Sequence, residues 1–192
     1  MQPTAGFVLV GGRSSRMGKE KARLKVNADF LVEVVARKVA ATAGNVTLVG
    51  NPEGFADLPF ACVPDIRPGL GPVAGLEAAL ATGRAELNLV TGCDMPDLRP
   101  SDLTRLLAEA ANTTALCTLA RDQCERRHPL CAVYRSEALP VVRAALDAGR
   151  LRLLSLVEEL RAVEVRIDSV LSNLNTPEQW AAWQAEQPVR GI

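Results

Sequence analysis

Residues 86–94 read ELNLVTGCD. A short apolar run of this kind, rich in residues that suit a pleated surface, has the pattern of a strand buried on both faces. Asp94 then stands at the carboxyl end of that strand. On either side the pattern turns helical. "GPVAGLEAALATG" at 71–83 precedes it, with a glycine after its last turn, and the stretch opening "RPSDLTRLLAEA" at Arg99 follows it.

The same rhythm extends outward. "GFVLVGG" at 6–12, "NVTLVGN" at 45–51 and "FACVPDI" at 60–66 read as strands, with a helix from about Asp29 to Ala43 between the first two. Beyond residue 110, "ALCTLARD" and "CAVYR" read as strands and 137–148 and 152–161 as helices. A strand at 163–168 and a helix from "TPEQWAAWQAEQ" complete the series. Strands alternating with helices predict an α/β fold: a mainly parallel twisted sheet, helices on both faces, and ligands at the carboxyl ends of the strands. With no internal repeat or linker, residues 1–192 are expected to form a single domain.

Composition narrows the function. Lys+Arg and Asp+Glu number 22 each, so the chain lacks the basic excess of a nucleic-acid binder. No apolar segment has the length of a membrane span, and the N-terminus lacks the basic flank of a secretory signal. A cytoplasmic protein is expected, with no nucleic acid or membrane as partner. The five cysteines, an odd number, are then expected to be reduced thiols.

After the first strand comes "GGRSSRMGKEK" at 11–21, a glycine turn with basic side chains suited to an anion. The P-loop pattern fails, because five residues separate Gly12 from Gly18 and Glu20 follows Lys19, leaving no hydroxyl for Mg²⁺. The dinucleotide fingerprint fails as well, with Arg13 at its second glycine. "GLGPVA" at 69–74 imitates that fingerprint, but "PDIRP" separates it from the preceding strand. A basic surface turn is the plain alternative.

The loop resembles the Gly-Gly-x-Ser-x-Arg-Met-Gly-x-x-Lys signature of the MobA-like nucleoside triphosphate transferases, and its double glycine is similar to the molybdenum cofactor guanylyltransferase branch. Three further motifs follow in the family's order: "PDIRPGLGPVAGLEAAL", "TGCDMPDL" and "NLNTPEQW". Val73 replaces the usual Leu, and Val10 stands where the family usually has Ala. The resemblance implies a Rossmann-like nucleotidyltransferase that moves GMP from GTP to the phosphate of molybdopterin and releases pyrophosphate. It implies a nucleotide-binding half over about 1–110 and an acceptor half over about 111–192. Proteins that insert molybdenum or mature molybdoenzymes are the partners it suggests.

Each residue keeps two readings at this point. Gly11 and Gly12 would turn amides toward phosphates, while Arg16 and Lys21 would offset charge on the triphosphate and at the transition state. Asp94 would hold Mg²⁺, which needs only one or two carboxylates beside phosphate oxygens and water; alternatively "DMPD" is a turn. Asp65 would accept the paired N–H donors of guanine, or close an Asx turn. Leu9, Val10 and Gly11 would meet the base through their backbone, Asn51 would contact it or cap a turn, and Gly71 and Gly75 would let a helix approach the nucleotide. Asn173 and Asn175 match the family's acceptor amides, although "NTPE" is also a helix start. Arg152 lies where the family keeps a basic residue for the acceptor; it also suits a plain surface arginine.

Other features carry less. Cys117, Cys124, His128 and Cys131 suggest zinc but lack the paired spacing of a knuckle, and "CERRHPL" reads as a loop bordering the acceptor pocket. Trp180 and Trp183 read as packing residues, and Cys93 as structural. The rival functions are a cytidylyltransferase and a GTP-binding regulator without chemistry. The Gly11–Gly12 pair and Asn175 favour guanine, and Lys21 with Asp94 favours catalysis.

Overall fold

The computed structural model describes residues 2–10, 21–172, 174 and 176–186. Nine strands are seen among them: β1 (Thr4–Leu9), β2 (Lys25–Val26), β3 (Asp29–Phe30), β4 (Thr47–Val49), β5 (Ala61–Val63), β6 (Leu87–Gly92), β7 (Cys117–Arg121), β8 (Arg127–Arg135) and β9 (Val163–Arg166). The helices are α1 (Leu31–Ala43), α2 (Pro72–Ala81), α3 (Pro100–Ala111), α4 (Leu139–Asp147), α5 (Leu153–Glu159) and α6 (Pro177–Glu186).

Seven strands make one sheet in the order β5-β4-β1-β6-β8-β7-β9. β5, β4, β1 and β6 run parallel, β8 is antiparallel to both β6 and β7, and β9 is parallel to β7. The chain leaves β1 toward β4 and β5, then returns to place β6 on β1's other side. That reversal opens a crevice at the strand ends, where α/β sheets bind ligands.

The sheet is filled from both faces because alternate side chains point oppositely. On β1, Phe7 and Leu9 join the core beneath α2, α4 and α5. Val8 and Val10 join the core beneath α1 and α3. β6 is buried along its whole length, as its composition predicts. α2 is enclosed too: Val73 through Leu80 are all buried, Glu77 included. Glu77 is balanced by Arg67 Nε at 3.2 Å and Arg143 Nε at 3.3 Å. Arg67 also reaches Asp147, so an ionic tie fastens the segment after β5 to α2 and α4.

Two local expectations shift. Asp29 belongs to the two-residue hairpin β2–β3, and α1 begins only at Leu31, where the Glu33 carboxylate accepts the Phe30 amide at 2.8 Å. The strand expected at 131–135 begins at Arg127, so most of "CERRHPL" is strand and not loop. Its outer half, Arg127, His128, Pro129 and Leu130, mixes charged, polar and apolar residues and so shows no alternation. In α6 the rings of Trp180 and Trp183 stack at 5.3 Å, and Trp183 Nε1 donates to Asp97 Oδ1 at 2.8 Å.

Gly6 allows α1 to lie close against β1. A Cβ there would stand 2.5 Å from Val39 Cγ1 and 2.6 Å from the Asn45 carbonyl oxygen. A rotamer change cannot relieve the backbone contact. Gly6→Ala is therefore expected to cost about 1–3 kcal/mol, as overpacking does, measured as a lowered urea midpoint with an unchanged m-value.

Candidate active site

β1 and β6 end side by side in register, Leu9 opposite Gly92. Lys21 follows β1 and Asp94 follows β6, and the two meet across the switch point. Lys21 Nζ lies 2.9 Å from Asp94 Oδ2. Lys21 is buried and Asp94 partly so, which strengthens the attraction relative to an exposed pair. The far oxygen of Asp94 has little room on the strand side: a Cβ on Gly92 would stand 2.5 Å from Oδ1. The Asp94 carbonyl accepts the Leu174 amide at 3.2 Å, which draws the segment before α6 to the same place.

The donor set suits a hard cation that retains much of its water. Among the described residues no group of three His, Cys, Asp or Glu side chains forms a cage. One carboxylate beside phosphate oxygens and water is enough for Mg²⁺.

Asp65 lies beyond β5, half-buried, and burial raises its carboxyl above the ordinary aspartate range. It faces α2: a Cβ on Gly75 would be 3.6 Å from Asp65 Oδ1 and 3.2 Å from Leu9 Cδ1. The missing side chain at Gly75 thus brings the helix against Leu9 and Asp65. Gly71, at a φ of 77°, precedes the first helical residue, Pro72. The Leu9 carbonyl accepts the Cys93 amide at 3.2 Å, and the Val10 amide donates to Val49 at 2.9 Å, so these backbone groups serve the sheet. Val10's extra bulk lies in the core beneath α1. Asn51 is exposed and its Oδ1 accepts the Glu53 amide at 3.2 Å, capping the 3₁₀ turn at Pro52–Phe55. Gly11, Gly12, Arg16, Asn173 and Asn175 lie outside the described residues.

Beside Asp94 opens a cleft of about 570 Å³. Arg127, His128 and Arg152 bring polar groups to it, and Met95, Leu130 and Leu153 form part of an apolar wall. Arg152 is exposed and precedes the first turn of α5. The sequence reading missed the partner of His128. His128 Nε2 lies 2.9 Å from Asp122 Oδ2, and both side chains are buried. The two residues flank the β7–β8 turn, and a carboxylate and an imidazole either side of a hairpin turn are the signal that points to such a pair.

The five thiols are free. Burial and the Asp94 charge push Cys93 up to about 12. Burial likewise pushes Cys117 up to about 12 and raises Cys131. These are protonated packing groups at neutral pH, not nucleophiles.

Comparison with known proteins gives the family of this fold. The model of the MobA-like NTP transferase domain matches residues 6–165. A molybdenum cofactor guanylyltransferase from Xanthomonas euvesicatoria pv. vesicatoria is 34% identical, the match covering 97% of each chain. Molybdopterin-guanine dinucleotide biosynthesis protein A from Archaeoglobus fulgidus superposes with a TM-score of 0.76 at 24% identity, covering 93% of this chain and 95% of its own. A Mycobacterium tuberculosis protein crystallised with manganese superposes at 0.67, with 18% identity over 94% of this chain and 97% of its own. The family match and the named relatives define a nucleotidyltransferase. The chain belongs to the MobA-like NTP transferase family.

In the native protein a thiol reagent at neutral pH is expected to modify Cys124, the exposed cysteine, far faster than Cys93, Cys117 or Cys131. Stopped-flow labelling should lose its fast phase in Cys124→Ser.

Proposed function

We propose that the protein transfers GMP from GTP to the phosphate of molybdopterin, with pyrophosphate leaving. The observation that carries this reading is the meeting of Lys21 and Asp94 at the β1/β6 switch point, beside a cleft that extends to Arg152. The names of the curated relatives supply the guanylyl group and the molybdenum cofactor.

An oxygen of the acceptor phosphate attacks the α-phosphorus, and the bond from that phosphorus to the β-phosphate oxygen breaks. The protein supplies position and charge, and no covalent enzyme intermediate is needed. Lys21 offsets the negative charge of the triphosphate and of the departing pyrophosphate, assisted by Arg16. Asp94 would hold Mg²⁺, which when bound supplies further charge neutralisation at the phosphates. Gly11 and Gly12 offer amides to the phosphates, and Asp65 accepts the guanine edge beside Gly71, Gly75, Leu9, Val10 and Asn51. Arg152, Asn173 and Asn175 take the acceptor. Residues from 1 to about 110 would thus bind the nucleotide and those from about 111 to 192 the acceptor.

Calorimetry with GTP, CTP, ATP and UTP in the presence of Mg²⁺ tests the reading. GTP is expected to bind at least about tenfold tighter than the others, about 1.4 kcal/mol. Asp94→Ala should lose the Mg²⁺ dependence and turnover while still unfolding in one cooperative transition, its midpoint lowered because the buried Lys21 loses this carboxylate. A preference for CTP would indicate the cytidylyl reaction. GTP binding without pyrophosphate release when molybdopterin is present would indicate a regulator.

Asp65 adds a pH test. Only its ionised form accepts both guanine donors, so affinity for GTP should fall as pH drops through a carboxyl pKa raised above the ordinary 3.8. That acid limb should vanish in Asp65→Asn, with a weaker and pH-flat affinity.

A further inference from the structure

The polar groups of the cleft differ in how far they are already committed. Arg127 is committed: its guanidinium lies 3.2 Å from Glu158 Oε1 and 3.0 Å from Glu164 Oε1. His128 is only 3% exposed, yet it is among the residues that line the cleft with Asp94 and Arg152.

Behind the ring, Asp122 is wholly buried and its Oδ1 accepts the Arg126 amide at 2.9 Å. Burial alone would raise this carboxyl, but the Arg126 amide and the His128 contact hold it below the ordinary range. It is therefore a carboxylate and can only accept, so the proton between the two groups belongs to His128 Nε2. Nδ1 is the ring's remaining polar atom. With its Nε2 proton given to Asp122, the ring donates from Nδ1 only when it carries a second proton, and an anion bound at Nδ1 favours that form. The turn has no need of the pair. It is already closed by the Asp122 amide to the Arg126 carbonyl at 3.0 Å and the Glu125 amide to the Asp122 carbonyl at 2.9 Å.

We propose that His128, backed by Asp122, donates from Nδ1 to the phosphate of the acceptor and orients that phosphate beside Asp94. A phosphomonoester has three terminal oxygens. One held by His128 and another within reach of Arg152 leave the third to attack. The neighbouring apolar wall, with Met95, Leu130 and Leu153, suits an acceptor whose body is a ring system and whose charge is concentrated at one end. The identity of the acceptor rests on the guanylyltransferase reading; the phosphate contact does not.

The chain has one histidine, so a ¹⁵N-labelled sample gives a single pair of imidazole nitrogen signals. Inorganic phosphate, titrated at constant ionic strength against chloride, is expected to shift the Nδ1 signal saturably. His128→Gln places an amide nitrogen near the Nε2 position and removes the donor at Nδ1. It is expected to raise the KM for molybdopterin about tenfold, the scale of one hydrogen bond to a charged group, with the KM for GTP and the melting temperature unchanged. His128→Asn, whose amide lies near the Nδ1 position, should recover part of the loss. An Nδ1 signal unmoved at saturating phosphate, or an unchanged acceptor KM in folded His128→Gln, would overturn the proposal. If His128→Gln melts early, the titration of the wild-type protein decides. A phosphate-dependent shift in a protein that does not use molybdopterin would leave the His128 site standing and refute the guanylyltransferase reading alone.

Discussion

The pairing of β1 with β6 is the constraint on which the rest of the site depends. Six consecutive residue pairs, from Thr4 with Leu87 to Leu9 with Gly92, hold the two strands parallel and end them at one level. Residues that follow the two strands, distant in sequence, therefore come to the same crevice. Lys21 and Asp94 meet because of this register. A slip by one residue would turn the side chains of either strand to the opposite face and break both cores together.

The second half of the sheet adds the other wall. β8 runs against β6, so the turn that starts it lies at the same end of the sheet as Asp94. His128 and Pro129 at its start therefore face the cleft, while Tyr134 and Arg135 at its far end are buried near the opposite edge. Had β8 been parallel, its beginning would lie at the other end of the sheet. The reversal is thus a structural requirement for a two-walled cleft.

Much of this is legible in the sequence where burial on both faces leaves continuous apolar runs. β1, β4, β6 and β7 are such runs, and the apolar pattern of "LNLVTGC" alone places the carboxylate that follows it at a strand end. The direction of β8 is not legible, since period and composition do not distinguish a parallel from an antiparallel strand. The β2–β3 hairpin, two residues a side, is too short to show alternation. The Asp122–His128 pair is hidden because its chemistry comes from burial behind a turn, and "RDQCERRH" reads locally as a polar connection. Cys117 and Cys131 are strand members, as their apolar neighbours suggest, and the structure adds why they are inert: the core around them disfavours a thiolate. The tie between Arg67 and Glu77 is invisible for a similar reason, as an ion pair between distant segments leaves no local pattern.

The two tryptophans of the chain both lie in α6, stacked on each other, with one indole hydrogen-bonded to Asp97, three residues beyond Asp94. Tryptophan emission is therefore confined to a single place. Its spectrum reports how the last helix rests on the loop that carries Asp94, with no indole elsewhere to add background. The protein carries its own optical gauge of that contact, one that can be followed during turnover without attaching a label.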